Sequence, residues 1–268
     1  MMLRDLTRSL KTRGEKGLAP FLTAGFPDDE TFLRLLGAAS SAGCRMIEIG
    51  IPFSDPIADG PVIQESSKRA LEAGMTLRKA LALAEKASKT VPAALVFMSY
   101  FNPILRMGLE EFSGCARRCG VSGVIVPDVP VEEAGEIRRA LSENGIPLID
   151  LVAPTSSGSR IERIASAADG FLYLVSVTGV TGVRSALSGD LGGFVERVRE
   201  RTELPLYVGF GVSTPEEARE TARHADGVIV GSALIRIIQG ARTNDEAVEK
   251  VGAFLKNMKQ AMNESGRS

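Results

Sequence analysis

Eight short, continuous apolar runs separated by charged, amphipathic stretches constrain this chain more than any other feature of its sequence. The runs predict strands at about Ala19–Ala24, Met46–Ile51, Ala93–Ser99, Gly123–Pro127, Leu148–Ala153, Phe171–Ser176, Leu206–Phe210 and Gly227–Val230. They are apolar throughout rather than alternating, as parallel strands covered on both faces must be. Between them, helical periodicity marks Asp29–Ala42, Leu77–Ser88, Glu110–Cys119, Val131–Glu143, Arg160–Ala167, Gly193–Arg201 and Pro215–Arg223. Eight strand–helix units in 268 residues average 33.5 residues each, enough for strand, loop and crossover helix. The widest gap between strands has room for an additional helix near Pro61, and Asp245–Met262 reads as a closing helix over the seam. Thr214-Pro215-Glu216-Glu217 supplies an N-cap, a proline at the first helical position and a capping-box carboxylate, and Asp28 can cap the first predicted helix. Gly145-Ile146-Pro147 stops another helix before the fifth strand. The expectation is an α/β fold, a (β/α)8 TIM barrel with extra helices forming one domain over residues 1–268, with an open doubly wound sheet as the alternative.

Composition narrows the function classes. Thirty-two Lys and Arg against 33 Asp and Glu give a net charge of −1, which argues against a nucleic-acid or anionic-membrane surface. The run from Val91 to Leu105 carries Asn102 and Pro103 and falls short of the ~20 apolar residues of a membrane span. The first sixteen residues, MMLRDLTRSLKTRGEK, are charged throughout and lack the apolar stretch of a secretory signal. Three cysteines, Cys44, Cys115 and Cys119, fit reduced thiols and a cytoplasmic location. Cys115 and Cys119 lie one helical turn apart, but a single histidine, His224, leaves a third ligand hard to supply, so no metal is expected.

In a barrel the working face is the C-terminal edge of the strands. Gly209-Phe210-Gly211 and Gly231-Ser232 follow the seventh and eighth strands, where backbone amides and a helix N-terminus can cradle a phosphate without a lysine. The long Gly-rich segment from Ser176 to Gly193 reads as a lid over residues 178–189, with Gly179 and Gly182 as hinges. The acid/base inventory is short. No strand carries a lysine for a Schiff base, His224 ends a helix remote from the mouth, and carboxylates and tyrosines remain as proton carriers. Glu48 is the anomaly: it interrupts Met46-Ile47-Glu48-Ile49, and alternation sends it opposite the two isoleucines, into the barrel. A lone buried carboxyl gains a raised pKa, suited to giving and taking a proton; the competing reading is a structural carboxylate. Asp55 or Asp59, on the loop IPFSDPIADGP, could join it, and spacing does not choose between them. Asp128 and Asp150 are weaker candidates, Asp150 being better suited to an internal hydrogen bond.

At that loop the sequence resembles a known family. IEIGIPFSDPIADGP is similar to the signature of tryptophan synthase alpha chains, supported in family order by PFLTAGFPD, YFNPI, PDVPVEE, GVTG, GFGVS and VGSALI. Val183-Arg184-Ser185 is a minor departure just after GVTG. The resemblance implies retro-aldol cleavage of indole-3-glycerol phosphate to indole and glyceraldehyde 3-phosphate. It implies Glu48 as the acid/base and Asp59 as the partner of the indole N–H. Phe21, Asp55, Tyr100, Tyr173 and Thr181 match substrate-contact positions, and Gly182, Gly211, Gly231 and Ser232 match the phosphate cradle. No cofactor is implied in this chain; pyridoxal phosphate is expected in a partner beta chain, in an alpha2beta2 tetramer. The Asp55 loop and Asn102–Pro103 surround the mouth and are candidate contact surfaces. Two other readings compete. One is another phosphate-binding barrel of the pathway, such as an indoleglycerol-phosphate synthase, which the lack of a strand lysine disfavours. The other is a non-catalytic sugar-phosphate-sensing subunit, which the presence of both Glu48 and Asp59 disfavours.

Overall fold

A computed structural model of the chain describes residues 2–175, 191–209 and 211–264. The elements run α1 (Leu3–Thr12), β1 (Gly17–Thr23), α2 (Asp29–Ser41), β2 (Met46–Gly50), α3 (Pro61–Glu72), α4 (Leu77–Ser88) and β3 (Ala94–Met98). They continue as α5 (Phe101–Met107), α6 (Leu109–Arg118), β4 (Val121–Ile125), α7 (Gly135–Glu143), β5 (Leu148–Val152), α8 (Gly158–Ala167) and β6 (Leu172–Val175). The remainder is α9 (Leu191–Arg199), β7 (Leu206–Gly209), α10 (Pro215–His224), β8 (Gly227–Val230), α11 (Ser232–Gly240) and α12 (Asn244–Glu264). The strands pair in sequence order, all parallel, and β8 returns to β1 through Gly17↔Gly227 to Pro20↔Val230, closing the barrel. The sheet is therefore the expected (β/α)8 cylinder and not an open sheet.

Alternation sorts each strand into two layers. On β2, Ile47 and Ile49 point outward into the layer shared with the helices, while Met46 points into the barrel with Phe21, Val96 and Tyr173. The outer layer also takes Phe32, Leu35 and Leu36 of α2 and Val251, Leu255 and Met258 of α12, which packs on α2, α10 and α11 across the closure. The predicted caps form. Asp28 accepts the Thr31 amide at 2.8 Å, and Thr214 with Glu217 completes a capping box on α10.

Three helices differ from expectation. The charged N-terminus folds as α1: Leu3, Leu6 and Leu10 form a narrow apolar stripe that closes the bottom of the barrel interior. Arg4 pairs with Asp169 there, and the Thr7 hydroxyl donates to the Gly170 carbonyl at 2.8 Å. Gly123 makes room for the plug, because a Cβ there would overlap Leu3. The predicted Val131–Glu143 helix begins only at Gly135, residues 131–134 forming turns. Asp28 thus caps the second helix of the chain, and residues 101–107, where no helix is expected from the sequence, form α5 despite Pro103. Proline is tolerated in a first helical turn, where its missing N–H has no intrahelical partner.

Candidate active site

Of the residues singled out above, Phe21, Glu48, Asp59, Tyr100 and Tyr173 gather at the C-terminal mouth. Glu48 sits mid-strand on β2, register-paired with Phe21 of β1 and Val96 of β3, so its carboxyl shares the interior with their side chains. It is 2% exposed, and its Oε1 has no hydrogen-bond partner among the described residues. A carboxylate without water or donors is costly to keep charged. Burial, reinforced by the nearby negative charge of Asp59, pushes Glu48 up to about 8. Met46-Ile47-Glu48-Ile49 thus does what its alternation implied.

Asp59 ends the loop after β2, just before Gly60 caps α3. Burial raises it to about 6, while the neighbouring Tyr100 hydroxyl works in the opposite direction. Tyr100, at the end of β3, also accepts the Ala58 amide at 2.9 Å and stacks on Phe53 with ring centroids 5.1 Å apart. The Gln64 side-chain amide donates to the Asp59 carbonyl at 2.9 Å and holds the loop from the α3 side. Of the two aspartates that spacing left open, the fold brings Asp59 to Glu48. Asp55 is exposed on the rim, in contact with Ser54.

Tyr173 of β6 completes the cluster. It is buried, and its hydroxyl is raised well above the usual phenol range by desolvation and by the charges of Glu48 and Asp59. Gly209 lies against its ring, where a Cβ would overlap the phenol. Phe21 covers Gly50 and approaches Gly231, so its ring spans the space between β2 and the start of α11.

Beyond Phe21 lie the glycine turns expected to cradle a phosphate. Gly231 is the N-cap of α11 and its carbonyl accepts the amides of Leu234 and Ile235 at 2.9 and 3.2 Å. The Ser232 and Ala233 amides have no acceptor among the described residues, leaving two donors and the positive helix end at the mouth. Gly211 adopts φ +85°, a left-handed conformation that favours glycine, and is exposed next to this terminus in the barrel order. Thr181, Gly182 and the lid expected over 178–189 lie outside the described residues.

Other candidates resolve into structural roles. Asp128 accepts the Phe101 amide through both oxygens, at 3.0 and 3.1 Å, and so anchors the start of α5. Asp150 forms a two-pronged ion pair with Arg138, at 2.7 and 3.1 Å, as an internal carboxylate should. His224 ends α10, exposed and away from the mouth. Cys115 and Cys119 are half-buried on and just after α6, and among the described residues no group of three or more His, Cys, Asp or Glu is placed to hold a metal ion. Sequence reasoning missed Phe53, Ala58 and Gln64. Phe53 and Gln64 carry no compositional signal of their role, and the Ala58 contribution is a backbone amide.

A closed (β/α)8 barrel with a buried carboxyl inside its C-terminal mouth defines a class: the barrel proteins whose working face is the C-terminal edge of the strands. Comparison narrows the class. The family model described as "Tryptophan synthase alpha chain" matches residues 7–263. The tryptophan synthase alpha chain of Citrifermentans bemidjiense is 48% identical over 268 residues, covering 99% of each chain. The crystal structure of the alpha chain from Legionella pneumophila superposes with a TM-score of 0.91 at 36% identity over 100% of both chains. A tryptophan synthase structure from M. tuberculosis in an aminoacrylate-bound form matches with a TM-score of 0.86 at 31% identity, covering 97% of this chain and 98% of that one. This chain belongs to the tryptophan synthase alpha chain family.

Proposed function

We propose that this chain is a lyase of tryptophan biosynthesis that splits indole-3-glycerol phosphate into indole and glyceraldehyde 3-phosphate by carboxyl acid/base catalysis. The observation that carries the reading is Glu48: buried at the mouth, without a partner for Oε1 among the described residues, and holding its proton to about pH 8 beside Asp59. A carboxyl in that state at neutral pH is an acid first. It gives its proton to the indole ring carbon that bears the side chain, and the positive charge that develops on the ring is balanced by ionised Asp59 at the indole N–H. The Glu48 carboxylate so formed then takes the proton of the side-chain hydroxyl. The carbon–carbon bond breaks, its electrons restore the aromatic ring, the former carbinol carbon leaves as the aldehyde, and Glu48 is protonated as at the start. General acid/base assistance of this kind is worth roughly 10²–10⁴ in rate.

Phe21, Tyr100 and Tyr173 are apolar enough to flank the ring. Gly231 and Ser232 at the start of α11, with Gly211 after β7, would hold the phosphate through backbone amides. Asp55, exposed on the rim, fits a place at the entrance rather than against the ring. No step requires a cofactor in this chain.

Family membership implies a beta-chain partner, and we infer an alpha2beta2 assembly in which a pyridoxal-phosphate-bearing beta chain consumes the indole. The exposed apolar side chains Ile57, 84% exposed, and Leu105, 55% exposed, flank the mouth on the Asp59 loop and on α5, adjoining Asn102 and Pro103. They offer a contact surface continuous with the exit from the site. Among the described residues no helix is long and apolar enough to cross a membrane. We infer a cytoplasmic place from the biosynthetic role.

The test is direct. Purified chain incubated with indole-3-glycerol phosphate should release indole, more with a beta chain present, and Glu48→Gln should lose at least about 10² in rate while retaining substrate binding. Indole release by Glu48→Gln at the wild-type rate would overturn the proposal.

A further inference from the structure

The phenol oxygen of Tyr100 is engaged on two sides. It accepts the Ala58 amide at 2.9 Å and lies beside the carboxyl of Asp59, the next residue, while its ring stacks on Phe53 at 5.1 Å with 29° between the planes. Phe53, Ala58 and Asp59 all belong to the one loop between β2 and α3, whereas Tyr100 closes the neighbouring strand β3. The other ties of the loop engage its backbone: the Asp59 amide reaches the Pro56 carbonyl at 3.3 Å, and the Gln64 side-chain amide donates to the Asp59 carbonyl at 2.9 Å and the Pro56 carbonyl at 3.5 Å. Tyr100 thus ties this loop to the barrel wall next to the Asp59 carboxyl. The neighbouring candidate Asp128 is committed elsewhere, to the Phe101 amide.

We propose that Tyr100 is a positioning residue for Asp59, clamping the loop by its amide contact and ring stack and aiming the Asp59 carboxylate through its hydroxyl. The inference rests on the functional reading above only in taking Asp59 to act as an anion. A phenol donating to a carboxylate favours the charged form, and a neighbour that is half-buried makes the bond count for more than it would in water. Its role differs from ring packing alone, because packing would be kept by phenylalanine and the hydroxyl would not.

Tyr100→Phe preserves the stack and removes only the oxygen. Expected is a fall of about tenfold in kcat/KM for indole release, the size of a lost hydrogen bond to a charged group. The acid limb of the pH profile should move to higher pH, because Asp59 then ionises later. In an Asp59→Asn background the same substitution should cost little further, since the group being aimed is gone. An unchanged acid limb, or equal losses in both backgrounds, would overturn the proposal in favour of a packing role. Titration of the Asp59 carboxyl by carbon-13 NMR in wild type and Tyr100→Phe reads the same coupling without turnover: an unshifted midpoint sinks the inference even if the chain releases no indole, and absent indole release with a shifted midpoint sinks only the reaction assignment.

Discussion

At the scale of the residue, Glu48 sets an opposition between stability and chemistry. Its folded-state pKa, about 8, lies above its ordinary value of 4.5. Between those values the native state holds a proton that the unfolded chain has released, so stability is full below about pH 4.5 and declines as pH rises to about 8. Each tenfold gain in proton affinity on folding corresponds to about 1.4 kcal/mol. Glu48→Gln should therefore be more stable than wild type at pH 9, by up to a few kcal/mol, with the difference closing toward pH 4.5. Thermal unfolding of both proteins across that range checks it, and a gap independent of pH would show that the carboxyl is not desolvated. In the proposed reaction the same pair of groups would shape the rate. With Asp59 ionising near 6 and Glu48 near 8, kcat/KM for indole release should be bell-shaped, falling below the lower value as Asp59 is neutralised and above the upper as Glu48 loses its proton. A profile flat from pH 5 to 9 would contradict the division of roles. Glu48 was readable from the sequence because a charge inside an apolar run has few explanations. Asp59 was not separable from Asp55 by spacing, since only the path of the loop decides which carboxyl turns inward.

At the scale of the element, α11 couples local chemistry to binding. Its free Ser232 and Ala233 amides can bind an anion only if the first turn stays uncharged. Ser232→Asp places a carboxylate on the helix N-terminus, where it satisfies the amides itself and repels a phosphate. Substrate dissociation measured by calorimetry should weaken by tenfold or more while the thermal midpoint holds or rises; unchanged affinity would remove the phosphate cradle from this helix. The capping box on α10 was legible because Thr214-Pro215-Glu216-Glu217 is a purely local signal, and its side-chain bonds form within four residues. Thr214→Ala should cost about 1 kcal/mol by chemical denaturation. By contrast α1 was missed. Ten residues dominated by charge with three leucines are a poor helix in isolation, and only the open bottom of the barrel gives Leu3, Leu6 and Leu10 something to cover.

At the scale of the whole molecule, closure does what no element can do alone. The β8–β1 pairing converts eight covered strands into a cylinder with an interior, and that interior is what desolvates Glu48 and Tyr173. The plug at the other end matters for the same reason. Leu6→Ala in α1 should destabilise the protein by about 2–5 kcal/mol, measured by denaturant unfolding, because the cavity opens beneath Phe171 and Tyr207. A cost no larger than that of an exposed substitution would mean that α1 merely rests on the surface. At the mouth, Leu105→Asp should weaken association with a beta chain by at least tenfold, read by the concentration dependence of complex formation.

What the sequence alone determined about this protein is its local and periodic content. Strand runs, helix stripes, caps and the inward face of β2 follow from side-chain chemistry within a few residues, so all eight strands and the inward direction of Glu48 are legible in the order of residues. Tertiary structure decided which distant groups meet: that Asp59 rather than Asp55 neighbours Glu48, that Tyr100 reaches back to Ala58 and Asp59, that Asp128 is spent on a helix start, and that a charged leader becomes a plug. Those outcomes depend on loop paths and on closure of the barrel, where the free energy comes from contacts between residues far apart in the chain and leaves no periodic trace along it.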